Sequence, residues 1–467
     1  MSKFNSVASD SKTTNLAGGP AFVESSNLQL ISHVLTSFVN DQFYRSSADG
    51  LVELKQLVEK ADPLFVAKLA LYARHQFGLR SVSHVLAAEI ARNAKGKEWT
   101  KTFFDKIIKR PDDMTEILAY YYANVAKNEP NALRKGFKAA FSRFGEYQLG
   151  KYRSEGKAVS LVDVANVVHP AHSEAIALLV AGKLKQEDTW ESQLSSGKDK
   201  AKVWGDLLSE NKLGYFALLR NLRNILEQAP ELVDKVCEVL TNETLISKSL
   251  VLPFRFMSAI DALSQASLPT AETRKVMLAI NKAVDISLSN VPVFEGNTLV
   301  VVDASGSMTM GDKPAIKNAA LFASALYRAS NADLMLFSDN AAYANANPGD
   351  SILGISNAIM QLANGGSTNF DAPFEVANKP YDRIIILSDM QGWVGYNAPT
   401  AALARYKSRV GANPKIFSFN LTGYGTLQFP EPEICCLAGF SEKVFDIIKL
   451  LEQDKGALVK MIEAVEL

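Results

Sequence analysis

The chain of 467 residues is longer than one hydrophobic core usually supports, which predicts two or three domains. With 47% hydrophobic and 21% charged residues, its composition is that of a folded globular protein and excludes a disordered or collagen-like chain. Its 50 Lys and Arg balance its 50 Asp and Glu, so the composition argues against a polycation that binds nucleic acid over its whole surface.

The zero net charge hides an uneven distribution. Residues 51–150 hold 17 Lys and Arg against 11 Asp and Glu, a balance of +6, whereas residues 301–400 hold 5 against 9, a balance of −4. The first region suits a polyanion and the second a cation.

Targeting signals and cysteine content indicate the cellular compartment. The first residues contain no apolar signal segment, and no later stretch is long and apolar enough to span a membrane. Cys237, Cys435 and Cys436 cannot form a disulfide framework, which fits a reducing compartment. We therefore expect a soluble, cytoplasmic protein without a membrane partner.

From about residue 28 to residue 290 the sequence predicts one helix after another. Asp62 and Pro63 form an N-cap and N1 pair that opens a helix over 64–77. A second helix is predicted over 133–144. Because strand signals are nearly absent, this part is predicted to be all-α, with paired helices that suit a solenoid of degenerate repeats.

Near residue 290 the pattern changes to short apolar strands alternating with helices. This alternation predicts a parallel sheet covered by helices on both faces, a doubly wound α/β domain. The chain is therefore divided into an N-terminal extension (1–27), a helical domain (28–290) and an α/β domain (291–467). The elements predicted for the α/β domain are a strand at 298–302, a helix at 313–329, a strand at 332–337, a helix at 351–363, a strand at 383–388, a helix at 399–410, a strand at 415–420 and two closing helices.

Oxygen-bearing side chains follow the ends of two predicted strands. Asp303, Ser305 and Ser307 come after the first strand, and Asp389 comes after the strand at 383–388. A flexible loop between these strands carries Thr368. Ligands of doubly wound domains bind outside the carboxyl ends of the strands, so we expect the five side chains to converge. Carboxylates and hydroxyls without a nearby His or Cys are hard ligands, which favours Mg²⁺ or Mn²⁺.

Two other roles compete with a metal site at this stretch. A serine nucleophile needs a histidine, yet all five histidines precede residue 290. A helix-capping turn explains one serine but neither Thr368 nor Asp389. The metal site explains all five residues and is favoured, the capping turn remains an alternative, and catalysis is the least favoured. The chain is predicted not to be an enzyme.

The helix predicted over 133–144 has one apolar face and one basic face. At about 100° per residue, its apolar side chains fall within one arc and its cationic side chains lie beside them. A basic helix face is most often only solvated, so charge alone leaves solvation and RNA binding open. The candidate donors to RNA are Arg134, Lys135, Lys138, Lys151, Arg153, Lys157 and His169.

Both parts of the chain resemble known families. Asp303-Ala304-Ser305-Gly306-Ser307, with Thr368 and Asp389, matches the metal-ion-dependent adhesion site of von Willebrand factor A domains. The segments that resemble the TROVE module of the Ro autoantigen family and its bacterial relatives are residues 15–19, 65–74, 79–82, 149–153 and 253–256.

The resemblance implies a fold and a function. The implied fold is a ring of HEAT-like helical repeats closed by the von Willebrand factor A domain. Members of the Ro family bind small structured noncoding RNA of the Y type on the outer basic surface of the ring. They bind single-stranded 3′ ends of misfolded RNA in the central hole of the ring. We therefore expect a monomeric ribonucleoprotein component that acts in RNA quality control or a stress response. The resemblance places Lys151, Tyr152, Arg153 and His169 on the RNA-contacting surface.

Other implications concern the metal and the partners. The resemblance implies Mg²⁺ with an open position that a carboxylate of a partner fills, and an exoribonuclease or another protein is the expected partner there. Residues 154–160 lack the Trp usual in the family, which indicates a smaller RNA surface or a different RNA. The alternative is a metal-dependent protein-interaction scaffold that binds no RNA.

Overall fold

The computed structural model describes residues 12–36, 47–152, 156–184, 193–194, 199–210, 212–266, 270–310, 314–363, 365–394, 399–430, 434–438, 444–454 and 456–467. The chain forms two compact units. The first contains residues 1–25, 38–46 and 193–455, and the second contains residues 26–37, 47–192 and 456–467. The domain boundaries expected near residues 27 and 290 stay a prediction.

The second unit is helical. Helices α3 and α4 pack on each other, as do α5 and α7, and α4 and α6. Its helices up to residue 180 are α1 (Ser26–Thr36), α2 (Ser47–Lys60), α3 (Pro63–His75), α4 (Ser81–Asn93), α5 (Thr100–Lys106), α6 (Pro111–Asn124), α7 (Asn131–Phe141), α8 (Glu146–Lys151), α9 (Leu161–Val168) and α10 (Glu174–Val180).

The two helices discussed above show where local signals suffice and where they fail. Helix α3 begins as predicted, because the Asp62 carboxylate accepts a hydrogen bond from the Phe65 amide at 3.3 Å. Helix α7 ends at Phe141, so the predicted end at residue 144 is wrong. The amides of residues 142–144 donate to carbonyls three rather than four residues earlier, which ends the α-helix. Gly145 is then the N-cap residue of α8, and its amide donates to the Gln148 side chain at 2.8 Å.

A buried carboxylate ties the helices of this unit together. Asp113, fully buried in the first turn of α6, accepts hydrogen bonds from the amides of Lys109 and Arg110 at 3.0 and 2.9 Å. Its side chain also meets Arg74 of α3 at 2.8 Å and His84 of α4 at 2.9 Å. Burial alone would raise the pKa of Asp113, but the hydrogen bonds from His84 and Arg74 outweigh it and hold the pKa well below its usual range.

This depressed pKa predicts a loss of stability in acid. Asp113 is a stronger acid in the folded than in the unfolded chain, so its contribution is complete above the unfolded pKa and is lost as pH falls below it. Between pH 5 and pH 3 we expect this group to account for about 1 kcal/mol of lost unfolding free energy. Urea unfolding at both pH values measures the loss. The variant Asp113→Asn should show a smaller loss, and an equal one would contradict the assignment.

The first unit contains the remaining helices up to residue 453. Those before the sheet are α11 (Lys200–Ser209), α12 (Tyr215–Gln228), α13 (Val233–Leu240), α14 (Glu243–Ser249), α15 (Met257–Ser264) and α16 (Thr270–Ile286), with 3-10 turns at Pro230–Leu232, Pro253–Phe256 and Ser287–Asn290. The later ones are α17 (Gly306–Thr309), α18 (Ala315–Ala329), α19 (Ile352–Leu362), α20 (Ala372–Val376), α21 (Pro399–Val410) and α22 (Val444–Gln453). The last helix, α23 (Ala457–Glu463), packs on α3 in the second unit.

The first unit contains two sheets. The larger has the strand order β5-β4-β3-β6-β7-β9, in which β5 alone is antiparallel to its neighbour. The smaller is the antiparallel sheet β1-β2-β8. The strands are β1 (Lys12–Thr14), β2 (Pro20–Val23), β3 (Thr298–Asp303), β4 (Asp333–Phe337), β5 (Ala341–Tyr343), β6 (Arg383–Ser388), β7 (Lys415–Asn420), β8 (Thr426–Leu427) and β9 (Cys435–Ala438).

The predicted fold class is confirmed, since a helical region precedes an α/β domain with a central sheet. Every residue of β3 and β6 is buried, as expected of central strands covered on both faces. The prediction missed β5, β9 and the small sheet because strands of two to four residues carry too little pattern. Among the described residues, no helix has both the length and the apolar character that crossing a bilayer requires.

Candidate metal centre and cationic surfaces

The parallel pairing of β3 with β6 brings two carboxylate segments side by side. The register pairs Val302 with Leu387, which places the next residues, Asp303 and Ser388, beside each other. The Ser388 hydroxyl donates a hydrogen bond to Asp303 Oδ2 at 2.5 Å. Asp389 follows directly, so both buried carboxylates stand at the same edge of the sheet.

The serines predicted as ligands lie on the turn after β3. The Ser305 amide donates to Asp303 Oδ1 at 2.9 Å, which folds the turn back over the carboxylate. The hydroxyl oxygens of Ser305 and Ser307 are 3.4 Å apart. Ser305 is also the N-cap residue of α17, but its side chain makes no capping hydrogen bond. The capping turn proposed as an alternative therefore does not explain this hydroxyl.

Two backbone hydrogen bonds bring the loop of Thr368 to the same edge. The Gly306 amide donates to the Gly366 carbonyl at 3.0 Å, and the Trp393 amide donates to the Thr368 carbonyl at 3.1 Å. Thr368, only 2% exposed, is thus held between the turn after β3 and the turn after Asp389. The three segments that carry the five predicted side chains meet at one rim.

The electrostatics of this rim favour a cation. Burial raises the pKa of Asp303. Burial, and then the nearby charge of Asp303, raise the pKa of Asp389 to about 7, against smaller opposing effects of the Ser307 hydroxyl and the Gln391 amide. Two buried carboxylates that disfavour each other's charge are stabilised by a positive ion between or beside them.

The donor set fits a hard divalent cation. Asp389 Oδ2 is buried without a hydrogen-bond partner, and no Lys, Arg or His of the described residues forms an ion pair with Asp303 or Asp389. The part of the chain that the structure describes has no group of three His, Cys, Asp or Glu side chains able to hold a metal. An ion at this rim would therefore depend on the hydroxyls of Ser305, Ser307 and Thr368, which suit Mg²⁺ or Mn²⁺ rather than zinc.

Sequence reasoning missed two residues that position the rim. From the sequence, Ser388 is only the last residue of a strand, although the parallel register with β3 places it beside Asp303. Asp339 accepts a hydrogen bond from the Ser367 hydroxyl next to Thr368. It also lies against Gly366, where a Cβ atom would come within 2.4 Å of Asp339 Oδ2. Asp339 follows the end of the strand predicted at 332–337, so the signal that identified Asp303 and Asp389 could also have identified it.

The N-terminal turn, residues 15–19, supports the loop that follows Asp389. The Leu16 amide donates to the buried Gln391 side chain at 2.8 Å, and the Asn15 side chain donates to the Gly392 carbonyl. Asn15 in turn accepts from the Gly19 amide at 2.9 Å, which closes the turn. Residues 15–19, one of the segments that resemble the TROVE module, therefore lie beside the candidate metal centre.

Gly19 cannot carry a side chain in this arrangement. A Cβ atom there would lie 2.2 Å from the Gly392 carbonyl oxygen, so the backbones would have to separate. We expect Gly19→Val to lower the unfolding free energy by about 1–3 kcal/mol. Chemical denaturation measures the change, and Ala17→Val, in the same turn, should be nearly neutral. Equal stabilities of both variants would show that the turn is not tightly packed against the loop.

Large apolar side chains are exposed on the segments that form the rim. Trp393 and Val394 are 53% and 41% exposed, and Met310 and Leu16 are 59% and 53% exposed. Isolated exposed apolar residues are common, but four on segments joined by hydrogen bonds around one candidate centre indicate a contact surface.

The basic face of α7 is only partly available to a ligand. Arg134 is paired with Glu129 at 2.8 Å. Lys135 and Lys138 are exposed and make no ion pair with any residue that the structure describes. Lys135 also lines a cavity of about 410 Å³ in the second unit. Three lysines that sequence reasoning missed line the same cavity: Lys95, Lys97 and Lys101.

The end of α8 and the residue before α6 form a second cationic group. Arg110 stacks on the Tyr152 ring at 4.1 Å from its centroid, and Lys151 lies 5.8 Å from the same centroid. Lys157 is paired with Glu116 at 2.8 Å, but both side chains are about half exposed, so the pair is weak. Arg110, which sequence reasoning did not single out, thus stands beside two of the predicted contacts. Its guanidinium group also donates to both carboxylate oxygens of Asp112, at 2.9 and 2.7 Å, so part of its charge is compensated.

Arg153 and His169 are the last two predicted RNA contacts. Arg153 lies outside the described residues. His169 is exposed and ends α9 with a left-handed φ of 48°, an uncommon conformation for a residue other than glycine. The roles of all these residues in RNA binding stay predictions.

Two family models match the chain. The model described as the TROVE domain matches residues 25–178 and 180–291, and the model described as the Ro60 vWA domain matches residues 297–451. These matches confirm the resemblance drawn from the motifs.

Two curated relatives are similar to part of the chain. "Telomerase protein component 1" of Mus musculus is 24% identical over 332 residues, which cover 51% of this chain and 12% of that protein. "RNA-binding protein RO60" of Deinococcus radiodurans is 25% identical over 245 residues, which cover 48% of this chain and 45% of that protein. The chain therefore spans less than half the length of each.

One solved structure has the same fold. The "Crystal structure of Deinococcus radiodurans RO (RSR) protein" superposes with a TM-score of 0.64 at 19% identity, covering 92% of this chain and 100% of that one. At this identity the likeness shows the fold alone.

Proposed function

We propose, because this chain belongs to the family of TROVE-domain proteins with a Ro60-type von Willebrand factor A domain, that it is an RNA-binding protein. The observation that carries the proposal is the lysine-lined cavity of the second unit, with Lys135 on its wall and Lys138 exposed on the same helix. Glu98 also lines this cavity, but the lysines form no ion pair with any residue that the structure describes. They can therefore neutralise phosphates, the main source of affinity for RNA.

The proposal includes the class of RNA. A relative named as an RNA-binding protein supports RNA as the ligand, and we propose small structured noncoding RNA of the Y type together with single-stranded 3′ ends of misfolded RNA. The Tyr152 ring, stacked with Arg110 and flanked by Lys151, suits phosphate and base contacts at one place. The role proposed is RNA quality control or a stress response by a monomeric cytoplasmic protein, with binding and no turnover.

The candidate metal centre has a separate role in this proposal. Asp303, Ser305, Ser307, Thr368 and Asp389 would hold Mg²⁺ or another hard divalent ion. Such an ion would supply Lewis acidity toward an acidic group of a partner protein, such as an exoribonuclease. Ser388 and Gln391 keep the two carboxylate segments in place through their hydrogen bonds.

A second candidate function is a protein-interaction scaffold without RNA. The observation that favours it is the exposed apolar group of Trp393, Val394, Met310 and Leu16 on the segments around the candidate metal centre. Such a group, next to a cation, suits a protein segment that carries an acidic residue flanked by apolar ones.

RNA that copurifies with the protein separates the two functions. We expect ultraviolet crosslinking in the native cells, followed by a denaturing wash and sequencing, to recover a recurrent structured RNA or fragments that share free 3′ ends. A mixed RNA background no greater than that of an unrelated protein would contradict RNA binding and favour the scaffold. A rise in the absorbance ratio at 260 and 280 nm of the purified protein is the rapid first measurement.

A further inference from the structure

A cavity in the first unit is lined by three arginines. It has a volume of about 270 Å³ and lies between α12 and the segment formed by the 3-10 turn Pro253–Phe256 and α15. Arg220 and Arg223 come from α12, and Arg255 comes from the turn. This cavity is separate from the lysine-lined cavity, because it belongs to the other compact unit.

The three arginines concentrate positive charge at this cavity. Among the residues that the structure describes, its lining contains no Asp or Glu. Arg223 approaches Glu227 at 3.5 Å, but both side chains are about half exposed, so this pair is weak. Arginine stays protonated at any physiological pH, so the three side chains present positive charge to an anion. The planar guanidinium group matches phosphate oxygens in a bidentate manner.

The rest of the lining suits a nucleobase. Phe216 lies one turn before Arg220 on α12, so both side chains belong to the same face of the helix. Ala259 and Ala262 of α15 provide a small apolar surface, and the exposed Ser258 adds a hydroxyl. An aromatic ring beside cationic donors is the usual combination for single-stranded nucleic acid, in which a base stacks while the phosphate is neutralised.

We infer that this arginine cavity binds one phosphate-bearing nucleotide of single-stranded RNA, with the phosphate on Arg220, Arg223 and Arg255 and the base against Phe216. The inference rests on the proposed function and adds a second RNA contact to it, on helices outside the residues predicted from the sequence. The volume of the cavity suits one nucleotide rather than a helical element of a partner.

The double variant Arg220→Gln, Arg223→Gln tests this site. Both residues lie on the exposed side of α12, so the variant should fold, and circular dichroism checks this. The probes are fluorescein-labelled octa-adenylate, adenosine monophosphate and inorganic phosphate. We expect octa-adenylate to bind about tenfold more weakly, with a salt slope smaller by about 0.7, because the variant no longer neutralises the one phosphate that the cavity holds.

The matched control is Arg274→Gln, Lys282→Gln. These exposed cations lie on α16 in the same unit, and their removal changes the net charge equally. The control should bind octa-adenylate as the wild type does. Equal weakening of both variants, or none in the arginine variant, would overturn the site.

The probes also identify the source of the nucleotide. Competition of adenosine monophosphate for octa-adenylate, abolished in the arginine variant, supports a site for one nucleotide. Better competition by polyglutamate than by the nucleotide would overturn it in favour of an acidic peptide. If the arginine variant binds octa-adenylate normally while the variant Lys135→Glu, Lys138→Glu, Lys151→Glu does not, the arginine cavity is not an RNA site. The proposal that the protein binds RNA is then supported. If the wild type binds the nucleotide but no RNA, the proposed function is wrong and the cavity binds a free nucleotide.

Discussion

The variant Lys135→Glu, Lys138→Glu, Lys151→Glu is expected to bind RNA about a hundredfold more weakly than the wild type at physiological salt. Each lysine that contacts a phosphate releases a counterion, and each reversed charge replaces that attraction by repulsion. The slope of log affinity against log salt should fall by about 2 to 3, at about 0.7 to 0.9 for each phosphate that the variant no longer neutralises. Fluorescence anisotropy at several salt concentrations measures both quantities.

Three lysines elsewhere provide the control for this variant. Lys202, Lys248 and Lys282 are exposed on helices of the first unit, and their reversal to Glu changes the net charge by the same amount. We expect this control to change the affinity for RNA only slightly, because the new carboxylates repel RNA from a distance and salt screens that repulsion. Equal weakening in both variants would mean that RNA responds to total charge, and the assignment of a surface to Lys135, Lys138 and Lys151 would be wrong.

The variant Asp389→Asn is expected to lose the stabilisation that Mg²⁺ gives to the wild type. An ion present at 100 times its dissociation constant raises the unfolding free energy by about 2.7 kcal/mol if it binds only the folded chain. Asparagine keeps the acceptor for the Gln391 amide, which Asp389 Oδ1 binds at 3.1 Å, but removes the charge. Thermal melting in EDTA, Mg²⁺, Mn²⁺ and Ca²⁺ measures the increment.

The metal-free comparison sharpens this test. Without an ion, Asp389→Asn removes one of two buried carboxylates that disfavour each other's charge, so the variant should be at least as stable as the wild type in EDTA. The control Asp350→Asn changes an exposed carboxylate whose hydrogen bond, within the part of the chain that the structure describes, is to Asn347. It should keep the full Mg²⁺ increment. A wild type that gains no stability with Mg²⁺ or Mn²⁺ would contradict the metal site itself.

Local sequence signals locate the longer strands of the α/β domain well. The strands predicted at 383–388 and 415–420 have those bounds in the structure, because a buried parallel strand is rich in apolar residues and has polar residues at its ends. The predicted end of α7 is wrong by three residues, since a helix end depends on the helix that follows it.

The candidate metal centre could be assembled from the sequence because of topology. Parallel strands end at one edge, so side chains after β3 and β6 had to come together once the sheet was predicted. Asp339, which follows the end of β4, could have been found in the same way. The support from Gln391 and Asn15 could not, because their contacts span 375 and 377 positions of the chain, which no local pattern records.

For the cationic residues, the sequence alone could not tell which side chains are available to a ligand. The sequence identifies Arg134 and Lys157 as candidates, but the structure pairs them with Glu129 and Glu116. It also brings Lys101 of α5 to the cavity of Lys135 and stacks Arg110 on Tyr152. A charge in the sequence has no partner until packing supplies one, so its availability to a ligand is decided by tertiary contacts.

By itself, the sequence determined the order of helical and α/β parts, the central strands and the five side chains of the candidate metal centre, because apolar periodicity and strand ends are local properties. Only the tertiary structure decided which cations of the described residues stand apart from carboxylates, which residues support the rim around Asp303 and Asp389, and where three arginines meet in one cavity. Those depend on distances between segments far apart in the chain, and such distances are set by the packing of the folded core.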